Sequence, residues 1–344
     1  MFAISLLTLN VYAGTKVVVT SGGGTITVDG QEDLEKQVDD IVNKNGPFIS
    51  NSFAMANLTG YPVGESHIGS FPHMQFGIAL GMGGTNMRFF DKNDPASNNG
   101  TMPGITPNAV LNFGLGLGEK TDILGKLFVL NKSIIDPGVK TDIAELTHYN
   151  IISTGGKFRY QLFGKQTLLP FLFNFGGLTI SAGFDMMYGN IRVQGNYDAT
   201  YDAEVNWGPI QVIPLDFGSD YEGKVLWGIF GITTQAIAYF EVFGIFQPYT
   251  GFGISANYGY FIINFDAAGD LVCNDPSYTG SGGTNPVGTM LFTSRNGYNP
   301  YYVIPTYIVG LELNLWLIKI TAETMANLYN LRDINAQLGV RVQF

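Results

Sequence analysis

The last nine residues of the chain, AQLGVRVQF, alternate without a break. Ala336, Leu338, Val340, Val342 and Phe344 fall on one side, and Gln337, Gly339, Arg341 and Gln343 on the other. Successive side chains of a strand point to opposite faces of its sheet, so this segment is a ribbon with one oily flank and one polar flank. Chain ends are ordinarily polar and frayed, yet here the alternation runs to a terminal aromatic. The same period of two recurs from Phe71 onward. In HMQFGIALGM, Met74, Phe76, Ile78, Leu80 and Met82 oppose Gln75, Gly77, Ala79 and Gly81. In LTISAGFDMMYG, Ile180, Ala182, Phe184 and Met186 oppose Thr179, Ser181, Gly183 and Asp185, and FGISANYGYFI and IKITAETMANL repeat the pattern.

What stands on the second flank decides the class. A soluble sandwich turns a richly charged face to water. Here that face is mostly Gly, Ser, Thr, Asn and Gln, and only 13% of all residues are charged, about half the soluble average of roughly 25%. There are 45 glycines and 13% aromatics, yet mean hydropathy is only +0.13, too low for a bundle of membrane helices. Fine alternation of oily and small polar residues is the texture of a membrane β-barrel. The period-two runs predict about ten strands, within a range of eight to fourteen: 72–83, 109–118, 121–131, 149–163, 176–193, 223–241, 248–265, 300–316, 318–330 and 335–344. Long polar segments (84–108, 131–148, 190–222, 267–299) alternate with tight turns (118–121, 164–167, 243–247, 317–318), as on the two rims of an outer-membrane barrel. The register of 121–131 and 205–218 stays open. In the strand 300–316, Glu312, Asn314 and Trp316 fall on the polar flank.

The expected fold is therefore all-β: an antiparallel transmembrane β-barrel over 71–344, preceded by a short α-helical N-terminal segment. Residues 1–13 read as a signal peptide, with Ala13 at the cut, although the positive n-region is missing. Residues 14–70 read as a separate segment, serving either as a lumen plug or as a periplasmic piece. It holds short strands over 14–30 and a helix over 31–44, in which Leu34, Val38, Ile41 and Val42 share a face. Gly46-Pro47 is expected to end that helix, with a second short helix following it.

A last strand that closes the barrel against the first explains the terminal aromatic, because closure removes edges that lipid cannot satisfy. With its alternating Leu338, Val340, Val342 and final Phe344, the chain resembles bacterial outer-membrane β-barrel proteins in general. The resemblance implies that these four residues are the signal read by the barrel assembly machinery, and it implies export to the outer membrane. Outer-membrane fatty-acid transporters also carry an N-terminal plug, but their Asn-Pro-Ala signature near the mature start is absent. NDPAS at 93–97 stands in a loop instead.

Lipid-facing Arg or Lys at the bilayer midplane costs about 2–4 kcal/mol, so charges within the strands must face inward. This assigns Lys157, Arg159, Asp185, Glu312, Lys319, Glu323 and Arg341 to the lumen, either as an ion-pair lattice packing a narrow barrel or as a charged constriction tuning permeation. Other chemistry is scarce. Net charge is −10, with no basic cluster, which speaks against nucleic-acid binding. The single Cys273 allows no intrachain disulfide. His67, His73 and His148 form no metal-ligand pattern, and His148 has Ser153 near it in sequence. GLGLGEKT lacks the glycine that directly precedes lysine in a phosphate loop, and DKNDPASNNGTM has calcium-like oxygens without the EF-hand glycine and glutamate. The chain is expected to be a non-enzyme without cofactor or metal, in contact with outer-membrane lipid. Its leading role is passive passage of small solutes or apolar molecules. The alternative is a filled, adhesin-like barrel acting through its outer loops. Solute and oligomeric state are not encoded in any motif.

Overall fold

The structure, a computed structural model, describes residues 31–89, 100–133, 145–169, 172–206, 210–273 and 285–344. The expected signal peptide, the strand pair over 14–30 and the oxygen-rich loop residues 91–99 lie outside the described residues. One helix, α1 (Gln31–Asn57), precedes the strands β1 (Met74–Phe89), β2 (Gly100–Gly116), β3 (Thr121–Asn131), β4 (Glu145–Phe163), β5 (Gln166–Leu169), β6 (Phe173–Asn206), β7 (Ile210–Val242), β8 (Phe246–Cys273), β9 (Asn285–Tyr298), β10 (Val303–Leu315), β11 (Ile318–Asn327) and β12 (Ile334–Gln343).

Ten of these strands close into an antiparallel ring, in the order β1, β2, β3, β4, β6, β7, β8, β10, β11, β12 and back to β1. The seam pairs Gln75↔Gln343 through Gly84↔Ile334. Met74 and Phe344 complete it by exchanging both backbone hydrogen bonds, at 2.7 and 3.0 Å, and the Phe76 and Phe344 rings stack at 6.3 Å. The terminal aromatic is thus a paired strand residue. The two remaining strands stand outside the ring. β5 pairs only with the start of β6, and β9 pairs with the upper half of β8 while β10 takes its lower half.

The two flanks separate as the alternation requires. Leu338, Val340 and Val342 are 63, 53 and 42% exposed on the outside, while Arg341 between them is 3% exposed on the inside. Outward Phe76, Ile78, Leu80, Phe184, Phe230, Ile232, Phe252 and Ile254 continue the belt. Aromatics crowd its margins: Phe71, Phe163, Phe243 and Trp316 at the tight-turn end, and Tyr258, Tyr302 and Tyr329 at the other. The β7–β8 turn places Phe243 (φ 55°) and Gly244 (φ 70°) in the left-handed region, the two central positions of a type I′ hairpin turn.

Three expectations need correction. Trp316 does not lie on the inner flank. It sits in the β10–β11 turn with φ 62° and is 85% exposed, because the chain reverses one residue earlier than the pattern implied. The long polar segments are not mainly loops, for β6, β7 and β8 continue as paired strands far past the belt, with Tyr197↔Ser219 and Leu215↔Cys273 still in register. Gly46-Pro47 does not end the helix. Proline removes only its own amide bond and crowds one carbonyl, and residues 49–58 that follow are buried on every side, so packing holds the helix together.

Candidate functional site

All seven charged residues assigned to the lumen, Lys157, Arg159, Asp185, Glu312, Lys319, Glu323 and Arg341, are buried inside the ring, each 5% exposed or less. They do not surround open water. From Asn45 to Ile68 the N-terminal segment is almost wholly buried within the bore. It descends from the long-hairpin end, where Tyr298 donates a 2.8 Å hydrogen bond to Asn43 and the Phe53 ring packs on Trp227 and Phe261. It leaves at the tight-turn end, where His67 Nε2 donates to the Gly118 carbonyl at 2.8 Å, and then turns into β1.

Past the helix the segment has no regular partners for its own backbone, and buried backbone groups must be paired. The inward charges supply the partners. Gly64 N–H donates to Glu312 at 2.8 Å, and Ile68 N–H to Asp122 at 3.0 Å. Arg341 donates to the Pro62 carbonyl at 3.1 Å, Arg159 to the Glu65 carbonyl at 2.9 Å, and Lys126 to the Asn57 and Thr59 carbonyls. Asn335 Nδ2 and Asn108 Nδ2 donate to the Met55 and Ala56 carbonyls at 2.6 and 2.9 Å.

The charges also neutralise one another. Arg159 forks onto Asp122 with two 2.7 Å bonds, and Arg341 forks onto Glu312. Lys126 pairs with Asp185 at 2.7 Å, with both side chains fully buried. Lys319 reaches Glu65 of the segment itself at 2.6 Å, and Gln343 donates to the other Glu65 oxygen, also at 2.6 Å. Lys157 donates to Gln235 at 3.0 Å and lies 4.6 Å from the centre of the Tyr61 ring. Glu323 accepts from Tyr249 at 2.8 Å and from Gln337, whose oxygen in turn receives Gly60 N–H at 2.7 Å. Every one of the seven therefore holds the segment directly or through one intermediary. The void left among Tyr61, Lys157, Arg159, Tyr239 and Glu323 is ≈ 20 Å³, about one probe sphere of water.

The bore thus holds an ion-pair lattice packed around a thread. Sequence reading missed Asp122 and Lys126, although they share a flank opposite outward Ile123, Leu127 and Val129. It also missed Tyr61, Glu65 and Gln337. The segment carrying Tyr61 and Glu65 has no period from which to read direction. Ser153 is fully buried within the ring while His148 is exposed, so the two stand on opposite faces and form no catalytic pair. The side chain of Cys273 lies outside the described residues.

One family model, described as Lsa36-like, matches residues 27–344. The chain belongs to the Lsa36-like family. The matched span takes in the thread as well as the barrel. No curated protein matches the chain. Among solved structures, it is similar to the translocator domain of the autotransporter NalP from Neisseria meningitidis, at 9% identity and TM-score 0.28, over 90% of this chain and 97% of that one. The toluene transporter TodX from P. putida matches at 9% identity and TM-score 0.24, over 79% and 88%. A Pseudomonas aeruginosa FadL homologue matches at 9% identity and TM-score 0.22, over 96% and 99%. Scores this low carry nothing over to this chain.

Proposed function

We propose that the protein sits in a bacterial outer membrane as a barrel stopped at rest by its own residues 45–69, and that small solutes or apolar molecules cross only when this segment yields. The membrane placement is supported by the apolar belt and its aromatic margins, since a water-facing sheet would not present so continuous an oily surface. Among the described residues no helix is long and apolar enough to cross a membrane. Leu338, Val340, Val342 and Phe344 present the outward face that the barrel assembly machinery would read.

The observation that carries the stoppered reading is the Lys319–Glu65 pair. A carboxylate of the thread, rather than of the wall, neutralises a wall cation, so the bore is electrically complete only while the thread is in place. Planar-bilayer recordings test it. Wild type is expected to be closed or to open rarely. Glu65→Lys, which sets a third cation beside Lys319 and near Arg341, is expected to open it with a clear rise in conductance. Silence from both proteins rejects passage through the bore. A second reading, a surface platform, is favoured by the length of β6 and β7, 34 and 33 residues, against the ~9–11 that suffice to span a membrane. Silent bilayers, together with loss of surface binding when the β6–β7 hairpin is trimmed, would support that second reading.

A further inference from the structure

The register of the outer wall brings four widely separated basic residues into a single line. His148 of β4 is opposite Arg192 of β6, Arg192 is opposite Lys224 of β7, Lys224 is opposite Asn264 of β8, and Asn264 is opposite Arg295 of β9. Directly opposed residues share a face of the sheet. That face is the outer one, since the intervening Val193, Val225 and Ile263 are buried while His148 and Arg295 are exposed. Five strands at ~4.8 Å spacing make the row about 19 Å long.

Its height matters as much as its charge. One step toward the belt lies the row Asn190, Leu226 and Ile262, and one further lies the tyrosine row of Tyr188 and Tyr260 with Gly228 between them. Four residues of a strand tilted by ~40° rise about 10 Å above that tyrosine level. The headgroup layer on each side of the hydrocarbon is about 5–8 Å deep, and the flexible Lys and Arg stems reach back into it. Among the described residues, Lys224, Arg295 and His148 have no carboxylate partner. Arg192 is shared with Glu222, at 3.4 Å, and Gln194 donates to that same carboxylate at 2.8 Å. The next row outward carries Glu222 opposite Asp266, which repels anions from above and leaves the membrane side as the open approach.

We infer that the row His148–Arg192–Lys224–Arg295 is a docking site for the phosphate groups of outer-leaflet lipid headgroups, fixing the height and tilt of the β4–β9 side of the barrel in the membrane. It rests on the membrane reading above. Arginine matches phosphate with paired charge-assisted bonds, and juxtamembrane cations each add a comparable electrostatic increment.

The test compares wild type with Arg192→Gln/Lys224→Gln/Arg295→Gln in full-length barrels. Binding of diphosphorylated lipid A is measured in detergent micelles, with heat-modifiable gel migration confirming that both proteins are folded. Wild type is expected to bind at least about tenfold more tightly, with the advantage falling as salt rises, and with inorganic phosphate in large excess failing to displace the lipid. Equal binding by the two proteins overturns the proposal. So does full displacement by inorganic phosphate, which would mark a free-anion patch. A single-residue variant, Lys224→Gln, with an intermediate loss keeps the comparison decisive if the triple variant does not fold. Liposome flotation separates membrane binding from headgroup docking. Wild type that does not float defeats the membrane reading and this inference with it, whereas wild type that floats but shows no preference over the variant defeats this inference alone.

Discussion

Arg341 shows how much a single residue carries in this molecule. Its guanidinium is shared among Glu312, Thr321 and the Pro62 carbonyl, so it joins two wall strands to the thread. A charge taken out of water is costly unless it is paired and hydrogen-bonded, and removing one partner of a buried pair typically costs about 3–5 kcal/mol. Arg341→Ala is therefore expected to lower the temperature of the heat-modifiable gel shift markedly. Arg341→Lys should fall between the two, because an ammonium cannot reproduce the fork. If Arg341→Ala melts with wild type, the lattice does not hold the barrel. The inward direction of Arg341 and its six companions was legible because lipid forbids the alternative. Their partners were not. Which carboxylate meets which cation depends on register across the ring, and Glu65 comes from a stretch with no period at all.

At the scale of elements, α1 and β1 are fitted to each other through a missing side chain. A Cβ on Gly83 would run into the Ser52 carbonyl oxygen and press on Ala56. Backbone on both sides cannot move aside as a flexible side chain could, and overpacking of this kind typically costs about 1–3 kcal/mol. Gly83→Val is expected to push the helix from the wall, giving both a lower melting temperature and a leak in bilayer recordings. An unchanged leak would mean that the helix is not part of the stopper. The bounds of the strands within the belt were readable almost to the residue, as Thr121–Asn131 and Ile334–Gln343 show, although the facing of 121–131 was not. Beyond the belt the two faces of β6, β7 and β8 no longer meet two different solvents, so alternation fades while backbone pairing continues. That is why residues 190–222 read as loop. The length of helix α1 is hidden from sequence for the opposite reason, since Pro47 is a strong local signal and the enclosure that outweighs it is not local.

For the molecule as a whole, ten strands in the ring put the start of β1 and the end of β12 on the tight-turn side, while the thread begins at the other. The two ends of the described chain therefore lie at opposite rims of the barrel. Impermeant maleimide on intact cells tests this in a Cys273→Ser background. Asn43→Cys, exposed at the long-hairpin end, is expected to label, and Lys120→Cys only after permeabilisation. The reverse pattern would turn the barrel upside down. The thread also bears on how such an object is made. Either the β1–β12 seam zips last around a cord already lying in the hoop, or a finished hoop must draw the segment that precedes β1 through an opening with no room to spare. In the first case the cord acts as a mandrel, and a chain lacking it should close slowly, or on the wrong neighbour.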